Sequence, residues 1–312
     1  MRLRLGRPDL RRYASRFDVP PATGDVAVTF LGVSTLFLDD GRSSVLVDGF
    51  FSRPSMRRVA LGRLAPDARR VDVALNRLGC GNGRRVDVVV PVHTHYDHAM
   101  DAALVAERTG AVLVGGESVA NLRRGHGLPE GRSRVVASGE VVRCGAFTLT
   151  FVESAHCPPD RFPGAITRPV VPPQRARAYR CGEAWSVVLR HDSGRTALVQ
   201  GSAGFVPGAL VGRRADVVYL GVGQLGIQDE AYIRRYWSET VESVRARRVV
   251  LTHWDDFFRS LDRPLRALPY AGDDLDLTMG VLGGLADEQG VALHLPRPWR
   301  REDPWVGVGG GR

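Results

Sequence analysis

The chain of 312 residues contains no lysine. All 43 basic residues are arginine, against 34 acidic ones, for a formal net charge of +9. One kind of cation throughout reflects a coding bias toward GC-rich codons more than selection at each site, which weakens the usual inference from basic charge to nucleic acid. The arginines are scattered, with only short pairs such as Arg69-Arg70, Arg84-Arg85 and Arg213-Arg214, and no aromatic-basic module accompanies them. No nucleic-acid partner is therefore expected. No apolar run reaches the ~18 residues of a membrane-spanning helix. The basic N-terminus, Met1 to Asp9, is not followed by the apolar stretch of a secretory signal. The expected location is the cytoplasm. Cysteine is scarce: Cys80, Cys144, Cys157 and Cys181 lie far apart, none in C-x-x-C spacing. That excludes a thiol-rich zinc site and a C-x-x-C redox motif, and leaves reduced thiols. Low-complexity segments and short-period repeats are absent too. What remains is ordinary globular material, 44% hydrophobic and 25% charged, long enough for a substantial core.

Residues 1–25 read as a polar arm or short helix. Val26–Leu31, Thr35–Leu38 and Ser44–Val47 read as strands, the last two joined by a hairpin turn at Asp39-Asp40-Gly41. Residues 50–85 look irregular, with Pro54, Pro66 and the cluster Gly79-Cys80-Gly81-Asn82-Gly83. Val86–Val92 is a nearly continuous apolar run, as in a strand buried on both faces. Ala99–Arg108 and Ser118–Arg124 have helical spacing and enclose a short strand, Ala111–Val114. This alternation marks a layered α/β architecture. The second half has the same grain: strands at Phe147–Val152, Trp185–Arg190, Thr196–Gln200, Val217–Leu220, Arg248–Thr252 and Ala292–Leu295, and helices at Glu230–Arg245 and Leu282–Gln289. Residues 157–183 carry six prolines and read as a long loop, a lid over a site or a tolerated surface insertion. Residues 298–312 read as a loose Gly-rich tail.

The chemistry concentrates at Asp87–His98, D-V-V-V-P-V-H-T-H-Y-D-H. Three histidines at fixed places would arise by chance at about 2 × 10⁻⁵ per site in a chain this poor in histidine. His93 and His95 are two apart, so an extended backbone sends both side chains the same way. Asp97 and His98 follow where strand gives way to helix. Neutral imidazole is the commonest nitrogen ligand, and zinc takes His and carboxylate readily. His156 and His253 each follow a strand, at the end where open α/β sheets place their sites.

His93-Thr94-His95-Tyr96-Asp97-His98 resembles the H-x-H-x-D-H signature of the metallo-β-lactamase superfamily. The resemblance runs from about residue 26 to 297. Leu31-Gly32-Val33-Ser34-Thr35, Val47 to Pro54, the H-Y-D-H-A-M-D run ending in Asp101, and Leu251-Thr252-His253-Trp254 resemble one branch of it. That branch holds the ascorbate-lactone hydrolases and the N-acylphosphatidylethanolamine phospholipase D-like enzymes. The resemblance implies a four-layer αββα sandwich, one domain over residues 26–297, with the site along one edge of two sheets. It implies His93, His95 and His156 as ligands of a first metal, and Asp97, His98 and His253 as ligands of a second. Zn²⁺ is the expected ion, one or two, with Mn²⁺ or Fe as variants. Asp48 matches an acid that supports the site, and otherwise reads as a turn residue. Asp101 orients a ligand histidine or is an ordinary first-turn acid.

One position departs from the pattern. Where the family has Gly-Asp, with an Asp bridging both metals, this chain has Gly201-Ser202. A hydroxyl is a far weaker ligand and adds no charge. Three arrangements follow: one metal, two metals bridged only by water, or lost catalysis. The implied activity is metal-assisted hydrolysis of a phosphodiester, lactone or other ester, with Asp97 as the catalytic residue that orients the nucleophile or takes its proton. The alternative is a non-catalytic metal- or ligand-binding protein on the same scaffold. Arg161, Arg168, Arg175 and Arg177 either meet an anionic group of a small-molecule substrate or are plain surface charge. Cys157 lacks the context of a nucleophile.

Overall fold

The computed structural model describes residues 4–80 and 85–308. Gly81, Asn82, Gly83 and Arg84, singled out above, lie outside the described residues, as do 1–3 and 309–312. β-Branched runs supply most of the strands: β1 (Ala27–Phe30), β2 (Leu36–Asp39), β3 (Ser44–Val47), β4 (Val88–Val90), β5 (Val112–Gly115), β6 (Ser133–Val135), β7 (Val141–Cys144), β8 (Phe147–Glu153), β9 (Trp185–His191), β10 (Thr196–Gln200), β11 (Val217–Gly221), β12 (Arg248–Thr252), β13 (Ala292–His294) and β14 (Arg301–Glu302). The helices are α1 (Met56–Leu61), α2 (Ala68–Arg77), α3 (Tyr96–Ala99), α4 (Ala102–Thr109), α5 (Glu117–His126), α6 (Glu230–Trp237) and α7 (Leu275–Gln289).

These strands form two seven-stranded sheets, ordered β14-β1-β2-β3-β4-β5-β6 and β13-β12-β11-β10-β9-β8-β7. Each sheet is antiparallel in one half and parallel in the other: β3 to β6 run parallel, and so do β10 to β13. Pleat alternation builds the layers. Val45, Val47, Val88 and Val90 face the second sheet and pack with Leu149, Phe151, Val187 and Val199. Leu46 and Val89 point the other way, onto Val71 and Leu75 of α2 and Ala102 to Ala106 of α4. On the far side, Ile233, Tyr236 and Trp237 of α6 and Leu282, Leu285 and Ala286 of α7 cover the second sheet. The expected αββα sandwich is the observed fold. Among the described residues no helix is long and apolar enough to cross a membrane.

The structure corrects several local expectations. Within residues 50–80 the chain is not irregular throughout, because two helices form there. Ser55 and Asp67 cap α1 and α2, each side chain accepting a backbone N–H of the first turn. The apolar stripe Val71, Ala74, Leu75, Leu78 is embedded among arginines, which hid it. The tail is not loose from 298, and within residues 4–25 the expected short helix forms at Leu10–Arg16. β14 pairs with β1, Trp305 is buried, and its indole N–H donates to the Thr196 carbonyl at 2.8 Å. The Asp303 N–H donates to the Pro20 carbonyl, and Leu295 N–H to that of Arg16, while Val19 enters the core. Both termini are thus zipped onto the sandwich edge.

Segment 157–183 is irregular as expected, apart from one turn at Ala176–Ala178. It has its own packing. Ile166, Val170, Ala176 and Tyr179 form a third cluster with Val33, Phe50, Tyr96 and Met100.

Candidate metal centre

Strand ends bring the functional side chains together. β4 stops at Val90, and bends at Val92, His93 and His95 carry the chain into the next helix. Thr94 turns toward segment 157–183, where its hydroxyl donates to the Arg180 carbonyl at 2.6 Å and its N–H to that of Cys181 at 2.7 Å. Gly182 lets that approach happen: a Cβ there would stand 2.5 Å from Thr94 Oγ1. His93 and His95 point the other way with ring centroids 4.9 Å apart. α3 then begins at once and carries Asp97 and His98 in a single turn. His156 follows β8, and its ring lies 5.0 Å from that of His93 and 4.6 Å from that of His95. His253 follows β12, with its ring 5.1 Å from that of His98. Gly223 leaves room for it, since a Cβ there would stand 2.6 Å from His253 Nδ1.

The result is two donor sets. One ligand atom each from His93, His95 and His156 lie within 4.8 Å of one another, and so do atoms from Asp97, His98 and His253. Asp97 Oδ2 is 3.4 Å from His253 Nε2 and 3.7 Å from His98 Nε2. Such spacings suit ligands of one ion at about 2.0–2.2 Å each.

The partners of two rings settle their tautomers, because an acceptor-only oxygen demands an N–H. His98 Nδ1 faces Asp48 Oδ2 at 2.8 Å and therefore carries the proton, leaving the Nε2 lone pair on the Asp97 side. His156 Nδ1 faces the Cys157 carbonyl at 2.6 Å, which again leaves Nε2. His93 Nε2 is buried without a partner. A buried nitrogen lacking any hydrogen bond costs about 1–3 kcal/mol, and a cation accepting its lone pair removes that cost. The residues present therefore fit a divalent metal.

For His93 and His156 the electrostatics point the same way. Burial and the neighbouring imidazoles hold His93 well below the usual histidine range. Burial and His95 lower His156 to about 4. Both rings are neutral near pH 7, as ligation requires. Burial opposes the charge on Asp97, but His98 and His253 outweigh it and keep the carboxyl well below the carboxylate range. Burial likewise opposes the charged form of His253, and Asp97 more than compensates, so that group is raised.

Asp48 is an orienting acid, not a mere turn residue. It is fully buried and accepts from His98, from the Ser34 hydroxyl at 2.6 Å and from the Val92 N–H at 2.9 Å. Asp101 touches no histidine. Its carboxylate accepts the Phe51 and Ser52 N–H groups and the Ser52 hydroxyl, so it fastens the loop after β3, and burial raises its pKa to about 6. Ser202 is buried, and its oxygen accepts the Cys157 N–H at 3.0 Å. Cys157 is buried, and burial lifts its thiol to about 12.

Two residues escaped the sequence. Asp160 Oδ1 lies 3.2 Å from His95 Nε2. Burial opposes its charge, but the His95 contact and the Phe162 N–H lower its carboxyl to about 2. Asp255 accepts the Val33 N–H at 2.7 Å and pairs with the buried Arg53; Val33 in turn accepts the His253 N–H at 2.6 Å. The only available signal was position, four residues after His156 and two after His253.

A cavity of about 370 Å³ opens against His156 and Asp160, with Glu153, Glu183, Ser154 and Trp185 among its walls. No arginine lines it. Arg175 and Arg177 line a separate hollow with Arg63 and Arg180, so the anionic pocket expected from those arginines is not what this cavity offers.

The family model of the metallo-beta-lactamase superfamily matches residues 28–175. That match spans just under half of the chain, and over those residues the chain is similar to the metallo-beta-lactamase superfamily. A metal-dependent hydrolase of Christiangramia forsetii is 32% identical over 94 residues, 30% of this chain and 34% of that protein. The chain spans between a third and about half of the length of the curated relatives it matches. Among solved structures, a possible metal-dependent hydrolase from Veillonella parvula superposes with a TM-score of 0.55 at 15% identity, covering 89% of this chain and 99% of that one. A diiron beta-hydroxylase from Streptomyces venezuelae gives 0.55 at 14% identity, covering 90% of this chain and 54% of that one. At such identities the likeness concerns the fold alone. The specific branch named above finds no support in these matches.

Proposed function

We propose that this protein is a metal-dependent hydrolase, with His93, His95 and His156 holding a first ion and Asp97, His98 and His253 a second. The observation that carries the reading is the convergence of donor atoms from three distant segments into two compact sets, with the His98 and His156 tautomers leaving Nε2 free. Zn²⁺ suits a mixed imidazole–carboxylate set best, with Mn²⁺ or Fe as substitutes. Curated relatives named metal-dependent hydrolases support hydrolysis. Fold alone does not, because the same scaffold carries a hydroxylase.

A divalent ion at these positions supplies a coordinated water of lowered pKa and a Lewis acid for the electrophilic oxygen. The chain's residues do the rest. Asp97 stays ionised, and its carboxylate would orient the attacking water or take its proton. Asp48 holds the His98 ring. The acidic cavity beside His156 admits a neutral or donor-bearing ester, lactone or phosphodiester group more readily than an anionic one. Cytoplasmic location and a small-molecule substrate complete this reading. The test is metal content by elemental analysis of protein purified without chelator, followed by a panel of ester, lactone and phosphodiester substrates. His95→Ala removes the first ion and all turnover; full activity in metal-free His95→Ala refutes the mechanism. Stoichiometric metal with no turnover on any substrate favours the non-catalytic alternative that Ser202 supports.

A further inference from the structure

We propose that Asp160 is a positioning residue for the first metal position. It fixes His95 as its Nε2–H tautomer, turns the Nδ1 lone pair to the ion, and so ties metal affinity to segment 157–183. The inference rests on the metal-centre reading above and extends it to a residue that the superfamily motif does not contain.

Two oxygens converge on His95 Nε2: Asp160 Oδ1 at 3.2 Å and the Phe162 carbonyl at 3.4 Å. A carbonyl oxygen and an ionised carboxylate accept only, so Nε2 carries the proton and Nδ1 the lone pair. This mirrors the second position, where Asp48 fixes His98 through Nδ1 and frees Nε2. Each donor set thus has one imidazole held by a carboxylate, the arrangement that raises ligand basicity and locks ring orientation.

Asp160 is itself held in place. Its Oδ1 accepts the Phe162 N–H at 2.9 Å. Cys181 N–H donates to Phe162 and Gly182 N–H to Gly164, and the same stretch, through Arg180 and Cys181, grips Thr94, which sits between the two histidines. The segment is clamped to the motif it serves. Asp160 also brings a negative charge to the side of the centre where Ser202 brings none.

Atoms of His95, Asp160 and Cys181 also fall within 4.8 Å of one another, so a rival geometry has Asp160 and Cys181 ligating directly. Two measurements separate the readings. The first is histidine ¹⁵N NMR of the metal-free full chain, which assigns the His95 tautomer without any variant. The expected result is Nε2–H; Nδ1–H overturns the proposal. The second is chelator competition with Co²⁺ or Zn²⁺ for the wild type, Asp160→Ala and Asp160→Glu, with the melting temperature of each metal-free protein as control. The first equivalent is expected to bind about 10- to 100-fold more weakly in Asp160→Ala. The second equivalent stays unchanged, the metal-free protein stays folded with a modestly lowered melting temperature, and Asp160→Glu restores part of the loss in affinity. Unchanged affinity in Asp160→Ala overturns the proposal. So does a thiolate-to-cobalt absorption band that disappears in Cys181→Ser, since it makes the pair direct ligands. A wild type that takes up no ion at all sinks the metal-centre reading itself, and the proposal with it.

Discussion

Asp48→Asn is the sharpest perturbation of the centre. Asp48 is fully buried and three donors converge on it: Val92 N–H on Oδ1 at 2.9 Å, and His98 Nδ1–H at 2.8 Å with the Ser34 hydroxyl at 2.6 Å on Oδ2. The backbone adds no complication. Asp48 sits at φ 59°, a region Asn occupies as readily as Asp. An amide offers one accepting oxygen and one donating nitrogen, so it satisfies only one side. With its oxygen toward Val92, its NH₂ faces His98. The imidazole must then surrender its Nδ1 proton and carry one at Nε2, the nitrogen aimed at Asp97. With the amide reversed, NH₂ meets the Val92 N–H and a buried donor goes unpaired, at about 1–3 kcal/mol.

Either orientation weakens the second metal position. Loss of an outer carboxylate lowers metal affinity about 10- to 100-fold, which is roughly 1.4–2.7 kcal/mol. The metal-free protein also loses about 2–3 kcal/mol, since hydrogen bonds to an ion are each worth about 1.5–3 kcal/mol. Chelator competition reads the first quantity, with the first equivalent as internal control, and urea unfolding of the metal-free protein reads the second. Wild-type affinity for the second equivalent in a folded Asp48→Asn protein would refute the orienting role.

Three further outcomes are expected. The metal-free protein loses stability as pH falls from about 6.5 toward about 4, because the unfolded chain protonates at His93 and His156 while the folded chain does not. The His156 contribution is at most about 3 kcal/mol, less for its partial exposure; raised His253 has the opposite sign and trims the slope, and stability flat over this window by urea titration contradicts the assignment. Ser202→Ala leaves the buried Cys157 N–H without its acceptor and costs about 1–3 kcal/mol in urea unfolding, without loss of either metal equivalent. Asp255→Ala strands the buried Arg53 cation, costs about 3–5 kcal/mol, and frees Val33; a stability change under about 1 kcal/mol would show that the pair is not the anchor its burial implies.

Local patterning carried most of the layers, and chemistry carried most of the centre. The strand bounds at Ser44–Val47 and Arg248–Thr252 are read directly from apolar β-branched runs, since each is buried on both faces. α2 was lost because arginines interrupt its stripe, and β14 because two residues among prolines and glycines have no period at all. His93, His95, Asp97 and His98 share six residues, so their clustering is statistical. His156 and His253 are single histidines whose meaning depends on sheet order, and only the motif's resemblance connected them to the rest. Asp160 and Asp255 had no such help. Each acts through one hydrogen bond across more than fifty residues of chain, and a pairing of that kind has no signature in a single sequence.

The two metal positions are prepared in different ways. Around the second, Val33, Asp48 and His253 all lie in the left-handed region, at φ 51°, 59° and 58°, at a cost of about 1–3 kcal/mol each. For a β-branched residue such as Val33 that conformation is a true outlier. Two of them are linked: His253 N–H donates to Val33, Val33 N–H to Asp255, and Asp255 pairs with Arg53. A buried ion pair therefore helps to sustain the strain at Val33 and His253. The first position rests instead on unstrained strand ends and on Asp160. Metal binding should then leave the second set in place and order the first, so the segment carrying Asp160 is where hydrogen exchange slows when the first ion binds. Slowing confined to residues 31–34 and 252–256 would reverse that assignment.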